Sequence, residues 1–160
     1  MTNKALEIHF EENNIEFFRA DVGDKYVLQQ LVKNNWLLGG EPSGHIICLD
    51  SAPTGDAIIA ALKFLNAIKE NDFSIDKTIS SFKKFPQTLI NLKVDNPDDI
   101  ILSNKFWSEV TRIEKILGSD GRVLIRPSGT EPLIRIMVES RDASTSENLS
   151  NSLAELALQL

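Results

Sequence analysis

The chain has 160 residues, 42% hydrophobic and 25% charged, a globular balance with apolar material for one ordinary domain or two small ones. A formal net charge of -6, with Lys83-Lys84 the longest basic run, excludes the basic footprint of a nucleic-acid binder, and no apolar stretch approaches the length of a membrane span. The single cysteine, Cys48, excludes an intrachain disulfide and fits a reducing cytoplasm, and Met1 to Phe10 carries Lys4, Glu7 and His9 rather than the apolar core of a signal peptide.

Residues 1–14 read as a helix, followed by a short strand over Ile15 to Val22. Asp24 is placed to cap a helix whose apolar face is Val27, Leu28, Leu31 and Val32. Trp36 to Leu38 reads as a strand, 39–45 as a loop, and Ile46 to Leu49 as an apolar strand. Thr54-Gly55-Asp56 opens a helix running to Lys69, apolar nearly all round and therefore expected to be buried. A short helix over Ile75 to Phe82 precedes Lys83-Lys84-Phe85-Pro86, which reads as a linker. Alternating strands and helices before that linker point to a parallel or mixed α/β layer.

Beyond the linker the texture changes. Gln87 to Val94 is a strand, Asp95 to Asp99 a solvated turn, and Asn104 to Leu117 an amphipathic helix with Phe106, Trp107, Val110, Ile113 and Leu117 inward. Arg122 to Ile125 and Leu133 to Glu139 are strands, and Ser144-x-x-Glu147 is a capping box opening a helix striped with Leu149, Leu153, Leu156 and Leu160. The second half thus predicts a small α+β unit, an antiparallel sheet covered by two helices.

Two loops can carry chemistry. Arg126-Pro127-Ser128-Gly129-Thr130-Glu131-Pro132 lies between two strands. Backbone N–H groups of Ser128, Gly129 and Thr130, the two hydroxyls and the Arg126 fork together suit an anion, a phosphate above all. A hairpin turn with a surface arginine is the other reading of the same residues. Gly40-Glu41-Pro42-Ser43-Gly44-His45 offers Glu41, Ser43 and His45 as hydrogen-bonding groups flanked by glycines, which suits sugar hydroxyls, and a plain surface turn is its alternative. Cys48 and the two tryptophans read as core, and Thr54-Gly55-Asp56 as a helix cap. No His, Cys or carboxylate set has metal-ligand spacing, and there is no P-loop or dinucleotide fingerprint.

The two loops in this order resemble those of the α-D-phosphohexomutases: a sugar-recognition loop G-E-x-S-G-H and a phosphate loop R-x-S-G-T-E-P. Arg19-Ala20-Asp21-Val22-Gly23-Asp24-Lys25-Tyr26-Val27, Thr54-Gly55-Asp56 and Phe85-Pro86-Gln87 are similar to segments of the branch that acts on glucosamine phosphate, with Ala57 replacing that branch's usual glycine. The resemblance implies part of the family's third domain over 1–82, a linker at 83–86, and the fourth domain over 87–160, an α+β fold like that of the TATA-box-binding protein. It implies an isomerase, an intramolecular phosphotransferase that interconverts 6-phospho and 1-phospho sugars through a bisphosphorylated intermediate. Glu41 and Ser43 would bind the sugar hydroxyls, with His45 shaping or joining that loop. Arg126, Ser128, Gly129 and Thr130 would hold the phosphate that is not being transferred. The family's phosphoserine loop and its Mg²⁺ loop, D-G-D-x-D-R, have no counterpart in this sequence, and Asp120-Gly121-Arg122 reads as a turn. Met1 falls at an interior position of the family's third domain, which implies a gene fragment or truncated product that is inactive without the N-terminal domains. A glucose or mannose phosphate specificity, or a non-catalytic phosphosugar-binding module, are the alternatives.

Overall fold

A boundary near Lys83 separates two units, Met1–Lys83 and Lys84–Leu160. The computed structural model describes residues 2–72 and 74–160. Met1, the first residue of the helix expected over 1–14, lies outside the described residues, as does Phe73.

In the first unit, helix α1 (Lys4–Glu12) is capped by Asn3, whose side chain accepts from the Ala5 N–H. It is shorter than expected because the chain turns at Asn14, which takes a left-handed φ of 55°. Helix α2 (Asp24–Asn34) starts one residue before the sequence places it: Gly23, at φ 128°, occupies the cap position and Asp24 is the first helical residue. The strand expected over Ile15 to Val22 does not form. Ile15, Phe18 and Val22 are exposed, and among the described residues no neighbouring strand takes up the N–H and C=O groups that a ladder must satisfy.

Strands β1 (Leu38–Gly40) and β2 (Ile46–Cys48) pair antiparallel, Gly39 opposite Ile47, so the described strands of this unit form a hairpin where a parallel or mixed layer was expected. Gly39 and Gly40 therefore belong to a strand rather than a loop. The reason is the crossing of α2: a Cβ on Gly39 would sit 2.6 Å from Val27 Cγ1 and 3.1 Å from Leu31 Cδ1. Helix α3 (Ala57–Asn71) is capped by Asp56, whose carboxylate accepts from the Ile58 and Ile59 N–H groups at 2.8 and 3.0 Å. It is not buried as its composition predicts. Ile58 is 73% exposed and Leu62 62%, because among the described residues β2 is the main element that packs against it. Helix α4 (Ile75–Ser81) follows, capped by Ser74. Among the described residues of this unit the buried apolar side chains are Ala5, Leu31, Ile47 and Cys48.

The second unit is a three-stranded antiparallel sheet in the order β3-β5-β4: β3 (Gln87–Lys93), β4 (Gly121–Pro127) and β5 (Leu133–Ser140). Helices α6 (Asn104–Leu117) and α7 (Ala143–Ala157) cover one face, as expected. Ile134, Ile136 and Val138 of β5 meet Phe106, Val110 and Ile113 of α6 and Leu153 of α7 in one cluster. The turn expected over 95–99 is instead the start of a short helix, α5 (Pro97–Ile101), capped by Asn96 with proline at its first position, where the missing N–H costs nothing. Trp107 is 40% exposed rather than core, its Nε1–H donating to the Ile101 carbonyl at 2.6 Å. The capping box proposed at Ser144 is displaced: Asp142 caps α7, accepting from the Thr145 N–H at 2.7 Å. Ser146, Ser150, Ala154 and Ala157 form the buried face of α7, small enough to bring the helix close to the sheet.

Candidate functional site

The residues read as phosphate-binding lie on the loop between β4 and β5. Register extends along both strands to Pro127 opposite Ile134, so the hairpin holds its loop in place. The Ser128 N–H donates to the Leu133 carbonyl at 2.9 Å and the Leu133 N–H returns to the Glu131 carbonyl at 2.8 Å, closing the base of the loop. Ser128 Oγ accepts from the Thr130 N–H at 3.4 Å. Gly129 and Thr130 are exposed at the tip. A Cβ on Gly129 would meet nothing within 4 Å, so its own backbone does not demand glycine.

Register also brings up a residue that the sequence reading passed over. Arg135 on β5 is directly opposite Arg126 on β4, and directly opposite Asn91 on β3. In an alternating strand Arg135 falls on the face away from Ile134 and Ile136, hence away from α6 and α7. Its Nε is buried and has no hydrogen-bond partner among the described residues. Two guanidinium groups facing one another across a ladder repel. An anion set between them, beside the Ser128–Thr130 loop, removes that repulsion and supplies an acceptor for the orphan Nε–H. Sequence alone hides Arg135 because it reads as the polar half of an alternating strand; only pairing it with Arg126 gives it a role.

The residues read as sugar-binding lie on the β1–β2 hairpin. The Glu41 N–H donates to the His45 carbonyl at 2.8 Å and the Gly44 N–H to the Glu41 carbonyl at 3.0 Å, with Gly44 at a φ of 90° that favours glycine. Ser43 is exposed at the tip. Glu41 is part-buried, and its Oε1 accepts the Gly23 N–H at 3.0 Å, which leaves Oε2 as its free acceptor. The His45 side chain is 36% exposed, and its Nε2 is buried 3.7 Å from Asp24 Oδ2 without a hydrogen-bond partner among the described residues. Asp56 acts as the helix cap the sequence predicts, and Cys48 is a buried free thiol. Among the described residues no three His, Cys, Asp or Glu side chains are grouped to hold a metal, and no helix is long and apolar enough to cross a membrane.

Comparison with known proteins follows the same division. A family model described as phosphoglucomutase/phosphomannomutase, alpha/beta/alpha domain III, matches residues 1–85, and one for the C-terminal domain of that family matches 89–156. The phosphoglucosamine mutase of Janthinobacterium sp. is 47% identical over 154 residues, covering 96% of this chain and 35% of the relative. That of Leptothrix cholodnii is 47% identical over 157 residues, covering 98% and 35%. The chain thus spans about a third of the length of these relatives. Among solved structures, N-acetylphosphoglucosamine mutase of Aspergillus fumigatus superposes with a TM-score of 0.83 at 15% identity, covering 99% of this chain and 37% of that one. A variant of the same fungal enzyme in complex with glucose 1,6-bisphosphate gives a TM-score of 0.70 at 17% identity, covering 98% and 36%.

Proposed function

The chain belongs to the phosphoglucomutase/phosphomannomutase family, and from that premise we propose that it is the substrate-binding C-terminal part of a phosphoglucosamine mutase, interconverting glucosamine 6-phosphate and glucosamine 1-phosphate through a bisphosphate intermediate. Residues 1–82 form part of the third domain with the sugar loop, 83–86 a linker, and 87–160 the fourth domain with the phosphate loop. The observation that carries this reading is the facing pair Arg126 and Arg135 beside an exposed Ser-Gly-Thr loop, a cationic site that wants a phosphate.

In this role Arg126, Arg135, Ser128, Gly129 and Thr130 anchor the phosphate that is not being transferred. Glu41 Oε2 accepts from sugar hydroxyls, Ser43 Oγ accepts or donates, and His45 shapes or joins that loop. Anchoring one phosphate and orienting the ring converts a loose encounter into a positioned one, which is a large share of phosphoryl-transfer catalysis. Phosphoryl transfer itself needs a serine and Mg²⁺, which the resemblance places in the N-terminal domains, so no step of the chemistry is assigned to this chain. The chain alone is inactive and depends on the N-terminal domains of the same enzyme. The reaction is cytoplasmic, in keeping with one free, buried cysteine.

Titration of the chain with inorganic phosphate and with glucosamine 6-phosphate, followed by amide chemical shifts, tests this. Both ligands are expected to move Ser128, Gly129 and Thr130, and only the sugar phosphate to move Glu41 and Ser43. Arg126→Ala or Arg135→Met is expected to weaken both ligands by about tenfold to a hundredfold, the loss of one charge-assisted hydrogen bond. Unchanged affinity in both variants sinks the anchor.

A further inference from the structure

The phosphate loop carries one acid among its donors. Glu131 lies in the segment that joins β4 to β5, the two strands on which Arg126 and Arg135 face one another. The chain has six arginines. Arg19, Arg112, Arg122 and Arg141 each hold a carboxylate. Arg126 and Arg135 hold none among the described residues, although an acid stands in the loop between them. Glu131 is exposed, and among the described residues its side chain has neither an ion pair nor a hydrogen bond. The backbone gives the reason. A proline follows Glu131 and disfavours the helical region for it. The Leu133 N–H donates to the Glu131 carbonyl at 2.8 Å, folding the chain tightly about Pro132. The Val94 N–H, just past β3, donates to the Pro132 carbonyl at 3.2 Å. The stem of Glu131 is thus fixed to β5 and to the end of β3, and its carboxylate is left at the rim of the loop instead of closing on the arginines.

We propose that Glu131 is a specificity-determining residue: it takes up the 2-ammonium group of glucosamine 1-phosphate when the phosphate is seated between Arg126 and Arg135, and it distinguishes the amino sugar from glucose in that orientation alone. The inference rests on the phosphate-anchor reading of the loop. A free carboxylate beside an anion site weakens the site for a ligand that is only an anion. It helps where the ligand brings a cation next to its phosphate. Glucosamine 1-phosphate does so, because its ammonium stands on the carbon adjacent to the one that bears the phosphate. In glucosamine 6-phosphate the ring lies between the two groups, and a phosphate held at the anchor carries the ammonium away from Glu131. The 2-hydroxyl of glucose, a neutral donor, gains less from a carboxylate than an ammonium does. The contact is exposed to solvent, so it supplies discrimination between ligands while the arginines supply affinity.

The test compares inorganic phosphate with the 1- and 6-phosphates of glucosamine and of glucose. Each is titrated into the 160-residue chain and followed by the amide shifts of Ser128, Gly129 and Thr130, at about pH 6.5, below the range in which an α-amino group loses its proton. Glucosamine 1-phosphate is expected to bind about threefold to fivefold more tightly than glucose 1-phosphate, the range of an exposed ion pair. Glu131→Gln is expected to erase that preference, to leave the ratio between the two 6-phosphates unchanged, and to hold inorganic phosphate no more weakly than the wild-type chain does. Equal binding of the two 1-phosphates by the wild-type chain, or a preference that survives in Glu131→Gln, overturns the proposal. A weakening of every ligand alike in the variant also overturns it, because Glu131 then only shapes the loop. Failure of the wild-type chain to bind inorganic phosphate defeats the anchor reading and the proposal with it. Phosphate binding that is lost in Arg126→Ala, with no preference for the amine, defeats the proposal and leaves the anchor standing.

Discussion

Gly121 is the glycine of the second unit with the least room for a side chain. A Cβ there would stand 2.4 Å from the Glu139 carbonyl oxygen, a backbone atom in the central strand that cannot step aside, and 2.9 Å from Leu117 Cδ2. Glu139 is itself fully buried and joined to Arg122 through both oxygens, at 2.7 and 3.3 Å. Gly121→Ala is therefore expected to lower stability by about 1–3 kcal/mol through overpacking, read from denaturant midpoints of the unit's transition. Asp142 gives a pH-dependent counterpart. The Ser144 hydroxyl, then the Thr145 hydroxyl and N–H, donate to its carboxylate and hold its pKa below the usual carboxylate value. A depressed native pKa means that the unfolded chain takes up the proton first, so the contribution is complete above the ordinary carboxylate range and fades as pH falls through it. Asp142→Asn keeps an acceptor at the cap but is expected to flatten the decline in melting temperature below about pH 5. At this scale the sequence was partly legible. Arg126, Ser128 and Thr130 announce themselves because loop chemistry is local, and Asp56 is recognisable as a cap for the same reason. Arg135 does not, since it gains its meaning from a partner in another strand, Arg126 across a ladder.

Among the elements, α3 shows how far composition alone can mislead. Its residues are apolar on most faces, and composition of that kind reads as burial. Ile58, Leu62, Phe64 and Leu65 are nevertheless all more than half exposed. Burial requires two layers, and the described residues of this unit place only the short β1–β2 hairpin and its neighbours beside the helix. Leu62→Gln with Leu65→Gln should then leave the melting temperature of the chain within the small range typical of surface changes, about 0.5 kcal/mol, while reducing self-association in sedimentation at high concentration. A destabilisation of the size of a core substitution would mean that these side chains are covered in solution. In α6 and β5 the pattern and the outcome agree because both layers are present: Phe106, Val110 and Ile113 on the helix, Ile134, Ile136 and Val138 on the strand, all sealed. The strand expected over 15–22 failed for the reason that α3 is exposed, an apolar pattern without a partner surface.

For the molecule as a whole, the contrast between the units sets the order in which it comes apart. The second unit joins residues from α5, α6, β5 and α7 into one core, and each strand is laddered to the central β5 over its whole length. The first unit buries Ala5, Leu31, Ile47 and Cys48, and shows Val32, Leu38, Ile58, Leu62, Phe64 and Ile79 to solvent. Apolar area removed from water is worth roughly 25 cal/mol per Å², so a unit that seals so few side chains gains little against the backbone entropy of ordering its segments. Each unit carries its own hydrogen-bonded sheet, so nothing in the ladders obliges them to melt together. Hydrogen exchange on the intact chain should therefore give two levels of protection. Amides of α3 and α4 exchange through frequent local opening, while those of β5 exchange only when the second unit unfolds globally. In urea, probes in 1–83 are expected to lose structure at a lower midpoint than probes in 84–160, with the smaller m-value belonging to the first transition. Phosphate added at a hundred times its Kd should stabilise the second unit by about 2.7 kcal/mol, raising its midpoint, and leave the first midpoint where it was, since the anchor lies wholly within 84–160. One coincident transition at all probes, rising as a block with phosphate, would instead mean that the units fold as one and that the weakness of the first is made good by the second.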